Sequence, residues 1–233
     1  MASIVKGAVP SPNIWNTPQV YELENHAVDP DRRVESAMRA LRPWAGRTVL
    51  DIGCGTGYHL PALAAEAANV IGVEPHGDLA DVARRRCSGS ANVTVHTATA
   101  QAIPLPDHSV DVAMARWAYF FGPGCEPGLA ELSRVLGKGG AAFVVDLDAT
   151  RGSFGRWFSA TVPPTYSPEA VEAFWARQGW SRQELDLRMV FERRADLEAV
   201  LKIEFAPTVA RAAIAETKGL EIPYPNILRW RLF

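Results

Sequence analysis

Residues 49–60 read VLDIGCGTGYHL. Val49, Leu50 and Ile52 form a short apolar and β-branched run, and three glycines follow at 53, 55 and 57 before a helical composition begins at Leu60. The pattern is that of a strand running into a tight loop that opens a helix. Glycines at such a loop let the backbone turn sharply and let a ligand approach the main chain with no Cβ in the way. In a doubly wound sheet this loop lies at the carboxyl end of the strand, where ligands bind. The N–H groups of the following helix start favour a negatively charged group.

The dinucleotide fingerprint G-x-G-x-x-G does not fit this loop. Counting from Gly53, the position of its third glycine is Tyr58, and Gly57 comes one residue too early. Asp51 at the entry to the loop also has no place in that scheme.

Outward from this loop, strand and helix patterns alternate. NVIGVE (69–74), NVTVHTA (92–98), VDVAMAR (110–116) and GAAFVVDLD (140–148) read as strands. LPALAAEAA (60–68), DLADVARRRC (78–87) and GLAELSRVL (128–136) read as helices, the last closed by Gly137. Such alternation predicts right-handed βαβ units and a parallel sheet. Strands this apolar are expected to be covered on both faces.

Upstream, residues 1–28 are rich in Pro and Asn and read as irregular. A helix follows, with Asp29 as its N-cap, Pro30 at its first position, and Val34, Ala37, Met38 and Leu41 at helical spacing. Downstream, SPEAVEAFWARQG (167–179) has Ser167 and Pro168 to start a helix and Gly179 to end it. SRQELDLRMVFE (181–192) reads as a strand, 194–205 and 207–219 as helices, and the tail as a last strand. No repeat or linker interrupts the chain, which predicts a single domain over 1–233: an N-terminal cap at 1–45, a core at 46–148, and C-terminal strands and cap at 149–233.

Composition narrows the function class. The 233 residues carry 24 Lys plus Arg against 26 Asp plus Glu, a net charge of −2. That balance argues against a dedicated nucleic-acid binder. Three widely spaced cysteines, Cys54, Cys87 and Cys125, suit a reducing, cytoplasmic setting. MASIVKGAVPSP contains no long apolar run, and no stretch has the length of a membrane span, so neither a leader nor a membrane partner is expected. No histidine pair has metal-ligand spacing, so no metal is expected.

The loop and its surroundings resemble class I S-adenosylmethionine-dependent methyltransferases of the small-molecule, type 11-like kind. VLDIGCGTG matches the family's first motif, and Glu74 ends the second strand where the family places the acid that accepts hydrogen bonds from the ribose. TAQAIPLPDHSVDVAMARWAYFF (99–121) resembles its D-A-x-x-L-P-F-x-D-x-S-F-D-x-V segment, and RVLGKGGAAFVVDLD (134–148) its R-V-L-K-P-G-G segment. Thr99 stands where that family often has an Asp for the adenine amine.

The resemblance implies a doubly wound, seven-stranded, mostly parallel α/β sheet of Rossmann-like methyltransferase fold. It implies S-adenosylmethionine as cofactor and methyl transfer to a small-molecule acceptor. The cofactor-binding residues it implies are Asp51, Gly53, Cys54, Gly55, Gly57, Glu74, Pro75, His76, Thr99, Ala100, Gln101 and Arg116, with the backbone rather than the thiol of Cys54 mattering. An N-terminal segment often covers the active site in this family, which makes His26 and Tyr21 candidates to meet the acceptor. Asp146, at the end of the fifth strand, is a third. His59, Trp117 and Tyr119 are expected near the same edge, and the aromatics of 151–180 are expected either to line a lid or simply to pack. The family's Asn/Asp-Pro-Pro-Tyr motif is absent; ARWAYF stands there instead. Two other readings are a NAD(P)-dependent oxidoreductase and a non-catalytic cofactor-binding protein on the same fold.

Overall fold

The computed structural model describes residues 3–233; residues 1 and 2 of the expected cap lie outside the described residues. At its centre, β1 (Thr48–Ile52) pairs in parallel with β2 (Asn69–Val73) on one side and β4 (Val110–Arg116) on the other. β3 (Val93–His96) extends the sheet beyond β2, and β5 (Leu136–Leu147) extends it beyond β4, both in parallel. The tail forms β7 (Glu221–Leu232), inserted antiparallel between β5 and β6 (Ser181–Val190). The order is β3-β2-β1-β4-β5-β7-β6, the expected seven-stranded, mostly parallel sheet with one reversed strand.

Alternation along each strand divides the core in two. Val49, Met114, Phe143 and Val145 belong to one apolar cluster, and Leu50, Ala113, Ala142 and Val144 to the other. Successive side chains of a strand point to opposite faces, so both faces are apolar and both are covered. The covering helices are α3 (Arg33–Leu41), α4 (Leu60–Ala64), α5 (Gly77–Arg86), α6 (Glu126–Val135), α7 (Gly152–Ser159), α8 (Pro168–Arg177), α9 (Arg194–Glu204) and α10 (Pro207–Glu216). Ser167 caps α8 as expected, its hydroxyl accepting the N–H of Ala170 at 3.1 Å.

Several local expectations need correction. The segment before Asp29 is not irregular. It holds α1 (Pro12–Asn16) and α2 (Pro18–Ala27), each opening on a proline. Proline suits a helix start because the N–H it lacks would have no partner there. Val20, Leu23 and Ala27 then form the stripe that packs α2 on the core. Asp29 does cap α3, but from further upstream than an N-cap. Arg32 holds the N-cap position, while the Asp29 carboxylate accepts the N–H groups of Arg33 at 2.8 Å and Val34 at 2.9 Å. Pro30 lies in the preceding turn and not in the helix. Gly137 does not close a helix: α6 ends at Val135, and Gly137 already belongs to β5. The helix expected over 60–68 stops at Ala64, and that expected over 207–219 stops at Glu216.

Candidate functional site

The loop after β1 sits at the carboxyl edge of the sheet. Gly53, Gly55 and Gly57 all have positive φ, at 73°, 55° and 76°. A Cβ would also crowd a neighbour at each of the three. A Cβ on Gly53 would stand 2.5 Å from that of Ala118, and one on Gly55 would stand 2.8 Å from Cδ1 of Ile14 in α1. The loop therefore lies tight against both the segment after β4 and the N-terminal cap.

Two buried carboxylates flank it. Glu74, 4% exposed, follows β2; its Oε2 accepts the N–H of Gly55 at 3.0 Å and its Oε1 accepts that of His76 at 2.9 Å. Burial raises its pKa to about 7; the two N–H donors oppose the rise and the charge of Asp51 adds to it. Asp51, 3% exposed, accepts Nη2 of Arg116 at 3.1 Å. Burial raises its pKa as well, with the Arg116 charge opposing.

Between these groups lies a cavity of about 150 Å³. Of the expected cofactor residues, Asp51, Gly53, Cys54, Gly55, Glu74, Pro75, Thr99, Ala100, Gln101 and Arg116 line it. Gly57 and His76 do not. Gly57 packs under α5, where a Cβ would meet that of Ala83 at 2.9 Å. The His76 ring is buried and stacks on Trp15 at 5.3 Å, so it backs the cavity instead of reaching into it. Burial pushes the Cys54 thiol well above its usual value, as befits a filler and not a nucleophile.

The N-terminal segment forms the roof. Gly77 donates its N–H to the carbonyl of Ser3 at 2.7 Å, Val5 donates to that of Pro75 at 3.0 Å, and Gln101 donates Nε2 to that of Gly7 at 3.1 Å. Ala8 to Ser11, Ile14 and Trp15 then face the cavity. Tyr21 lines it too. Burial and the acids Glu24, Glu204 and Glu74 hold the Tyr21 hydroxyl well above its ordinary pKa, so it remains a neutral phenol.

The segment after β4 supplies another wall. Trp117 and Tyr119 take positive φ, 50° and 54°, which is strained for aromatic residues. Trp117 is held there by a hydrogen bond from its indole Nε1 to Oδ1 of the fully buried Asn226, at 2.7 Å. A second cavity, about 440 Å³, adjoins the first and is lined by Asn25, His26, Asp29, Arg32, Tyr58, His59, Ala62, Arg116 and Trp117 among others. His26 is there, its Nδ1–H donating to the Glu22 carbonyl at 2.7 Å.

Asp146 lines neither cavity. It shares a strand face with Ala142 and Val144, opposite to the face that carries Arg116 and Asp51. There it lies near Arg229, whose charge moderates a burial-driven rise in its pKa to about 6. The aromatics of 151–180 line neither cavity; Phe154, Trp157, Phe174 and Trp175 are core residues. Among the described residues, no group of three or more His, Cys, Asp or Glu is placed to hold a metal ion. No helix of the described residues is long and apolar enough to cross a membrane. Sequence reasoning missed Ile14, Asn25 and Phe121; the first two sit on helices masked by their prolines, and Phe121 sits in a loop.

The chain thus joins a doubly wound sheet, a glycine loop, two buried acids at adjacent strand ends and a roofed cleft. Residues 49–140 match the family model described as a methyltransferase domain. A demethylmenaquinone methyltransferase of Clavibacter sepedonicus is 34% identical over 108 residues, covering 46% of this chain and 44% of that protein. The chain spans about half the length of the curated relatives it matches. Among solved structures, the YcgJ protein of Bacillus subtilis superposes with a TM-score of 0.59 at 20% identity, covering 85% of this chain and 97% of that one. A geranyl diphosphate C-methyltransferase of Streptomyces coelicolor, solved with S-adenosyl-L-homocysteine, gives 0.53 at 17% identity, covering 91% and 77%. Residues 49–140 are thus similar to a methyltransferase domain, and the fold of the chain is that of these solved structures.

Proposed function

We propose that the protein transfers the methyl group of S-adenosylmethionine to a small-molecule acceptor in the cytoplasm. One observation carries the reading: Glu74 and Asp51, buried at adjacent strand ends, bracket the glycine loop inside one roofed cleft. The Glu74 carboxylate suits the ribose hydroxyls, each of its oxygens keeping a lone pair beyond the N–H it already accepts. Asp51, steadied by Arg116, suits the amino group of the methionine part. Thr99, Ala100 and Gln101 line the same cleft and suit the adenine, with Thr99 offering a hydroxyl.

The bound cofactor supplies an already activated methyl group. The chain's own task is to orient the two reactants and exclude water, which can contribute about 7–11 kcal/mol. The strap over the cleft serves exclusion, and the strained, tethered Trp117 serves orientation. The demethylmenaquinone name of the Clavibacter relative supports an acceptor with a ring. The near-neutral charge supports a small molecule over nucleic acid.

Calorimetric titration with S-adenosylhomocysteine and, separately, with NADH tests the reading. Saturable binding of the first alone is expected; binding of NADH alone would establish the oxidoreductase alternative.

A further inference from the structure

The second cavity meets the methyl-donor cleft along a shared wall of Asn25, Tyr58, His59, Arg116 and Trp117. We infer that this outer chamber holds the acceptor, and that the acceptor is a flat ring bearing a weakly acidic hydroxyl of phenol or enol type. The inference rests on the reading of the inner cleft as the methyl-donor site.

The wall is aromatic. His26, Tyr58 and His59 form an edge-to-face series, with centroids 5.0 Å and 4.9 Å apart. Trp117 completes it, held in a strained backbone conformation by Asn226. Strain of this kind persists where surrounding structure fixes a side chain for a purpose. Ring walls favour a ring guest.

The charges choose the functional group. Both carboxylates of the chamber are engaged: Asp29 with the N–H groups of Arg33 and Val34, and Glu35 with Arg32 and Arg39. Arg116 is different. Its side chain is 10% exposed and lines both cavities, and only its Nη2 is engaged by a side chain, that of Asp51. A buried guanidinium with a spare donor favours an oxygen that carries negative charge. His59 stands beside it. Burial and the charges of Arg116 and Arg86 push its pKa well below the usual imidazole value. A neutral ring keeps a lone pair to accept a hydroxyl proton's hydrogen bond.

The test uses the whole protein saturated with S-adenosylhomocysteine and three probes on one ring: 4-nitrophenol, nitrobenzene and 4-nitrobenzylamine. 4-Nitrophenol should bind at least about tenfold more tightly than either of the others. Its phenolate absorbance should rise on binding at fixed pH, and Arg116→Gln should remove that rise. Ala62→Trp fills the chamber from an exposed position that the donor cleft does not use. It should weaken 4-nitrophenol by about tenfold or more and leave S-adenosylhomocysteine binding unchanged. Equal binding of all three probes, tighter binding of the amine, or indifference of 4-nitrophenol to Ala62→Trp would overturn the chamber assignment while the donor-site reading stands. Failure of S-adenosylhomocysteine to bind would overturn both.

Discussion

The carboxylate of Glu74 accepts the backbone N–H of Gly55 at 3.0 Å, so the acid that ends β2 is braced by the loop that ends β1. Removing that acid therefore affects both ligand and loop. Glu74→Ala should weaken S-adenosylhomocysteine binding by roughly 1.5–3 kcal/mol, the scale of a hydrogen bond to a charged group. Calorimetry on wild type and variant checks it, and an unchanged affinity would remove Glu74 from the ribose site.

The pKa of about 7 gives the site a pH signature. Hydroxyl donors on the ligand favour the ionised carboxyl, so binding releases a proton whenever Glu74 holds one. Affinity should therefore rise with pH through about 7 and level off above it. In Glu74→Gln this rise should vanish. Titrations across neutral pH on both proteins make the comparison.

Behind Tyr21, α2 meets α9 through two acids. Glu24 is buried with an oxygen that has no partner, and Glu204 accepts Nδ2 of Asn13 at 2.6 Å. Burial and mutual repulsion raise the Glu24 pKa well above the ordinary carboxyl value, and burial raises that of Glu204. As pH rises above that ordinary value, the unfolded chain sheds these protons before the folded chain does. Stability should thus be fullest in mild acid and decline as pH increases. Glu24→Gln removes one titrating group and should flatten the decline, raising Tm relative to wild type at alkaline pH. Thermal melts on either side of neutrality decide it.

The Trp117–Asn226 bond should be separable from ligand contacts. Asn226→Ala strands the indole N–H, at a cost of roughly 1–3 kcal/mol. Urea unfolding should show that loss. The intrinsic affinity of the donor cleft should change less than acceptor binding, because Asn226 touches neither cavity.

The parallel half of the sheet, its glycine loop and Glu74 were legible because their signals are local: apolar runs, glycine spacing, an acid at a strand end. The cap was not. Pro12 and Pro18 look like helix breakers in a one-dimensional reading, yet each occupies a first turn where proline does no harm. Asp146 failed on parity. Its position along the chain puts it at the right edge, but the two-residue repeat of β5 turns it to the face opposite Asp51 and Arg116. His76 failed because Trp15, far away in sequence, claims its ring. The second cavity had no sequence signature at all, since its walls come from α2, the turn before α3, the loop after β1 and the end of β4.

Trp117 and Asn226 are 109 positions apart, and Asn226 lies in the final strand. A chain still being synthesised cannot yet pin that indole, nor insert β7 between β5 and β6. Closing so long a loop costs chain entropy before the contact rewards it. The wall between the two cavities therefore depends on the final strand, and a chain that has made its glycine loop and its acids still lacks the tether of that wall.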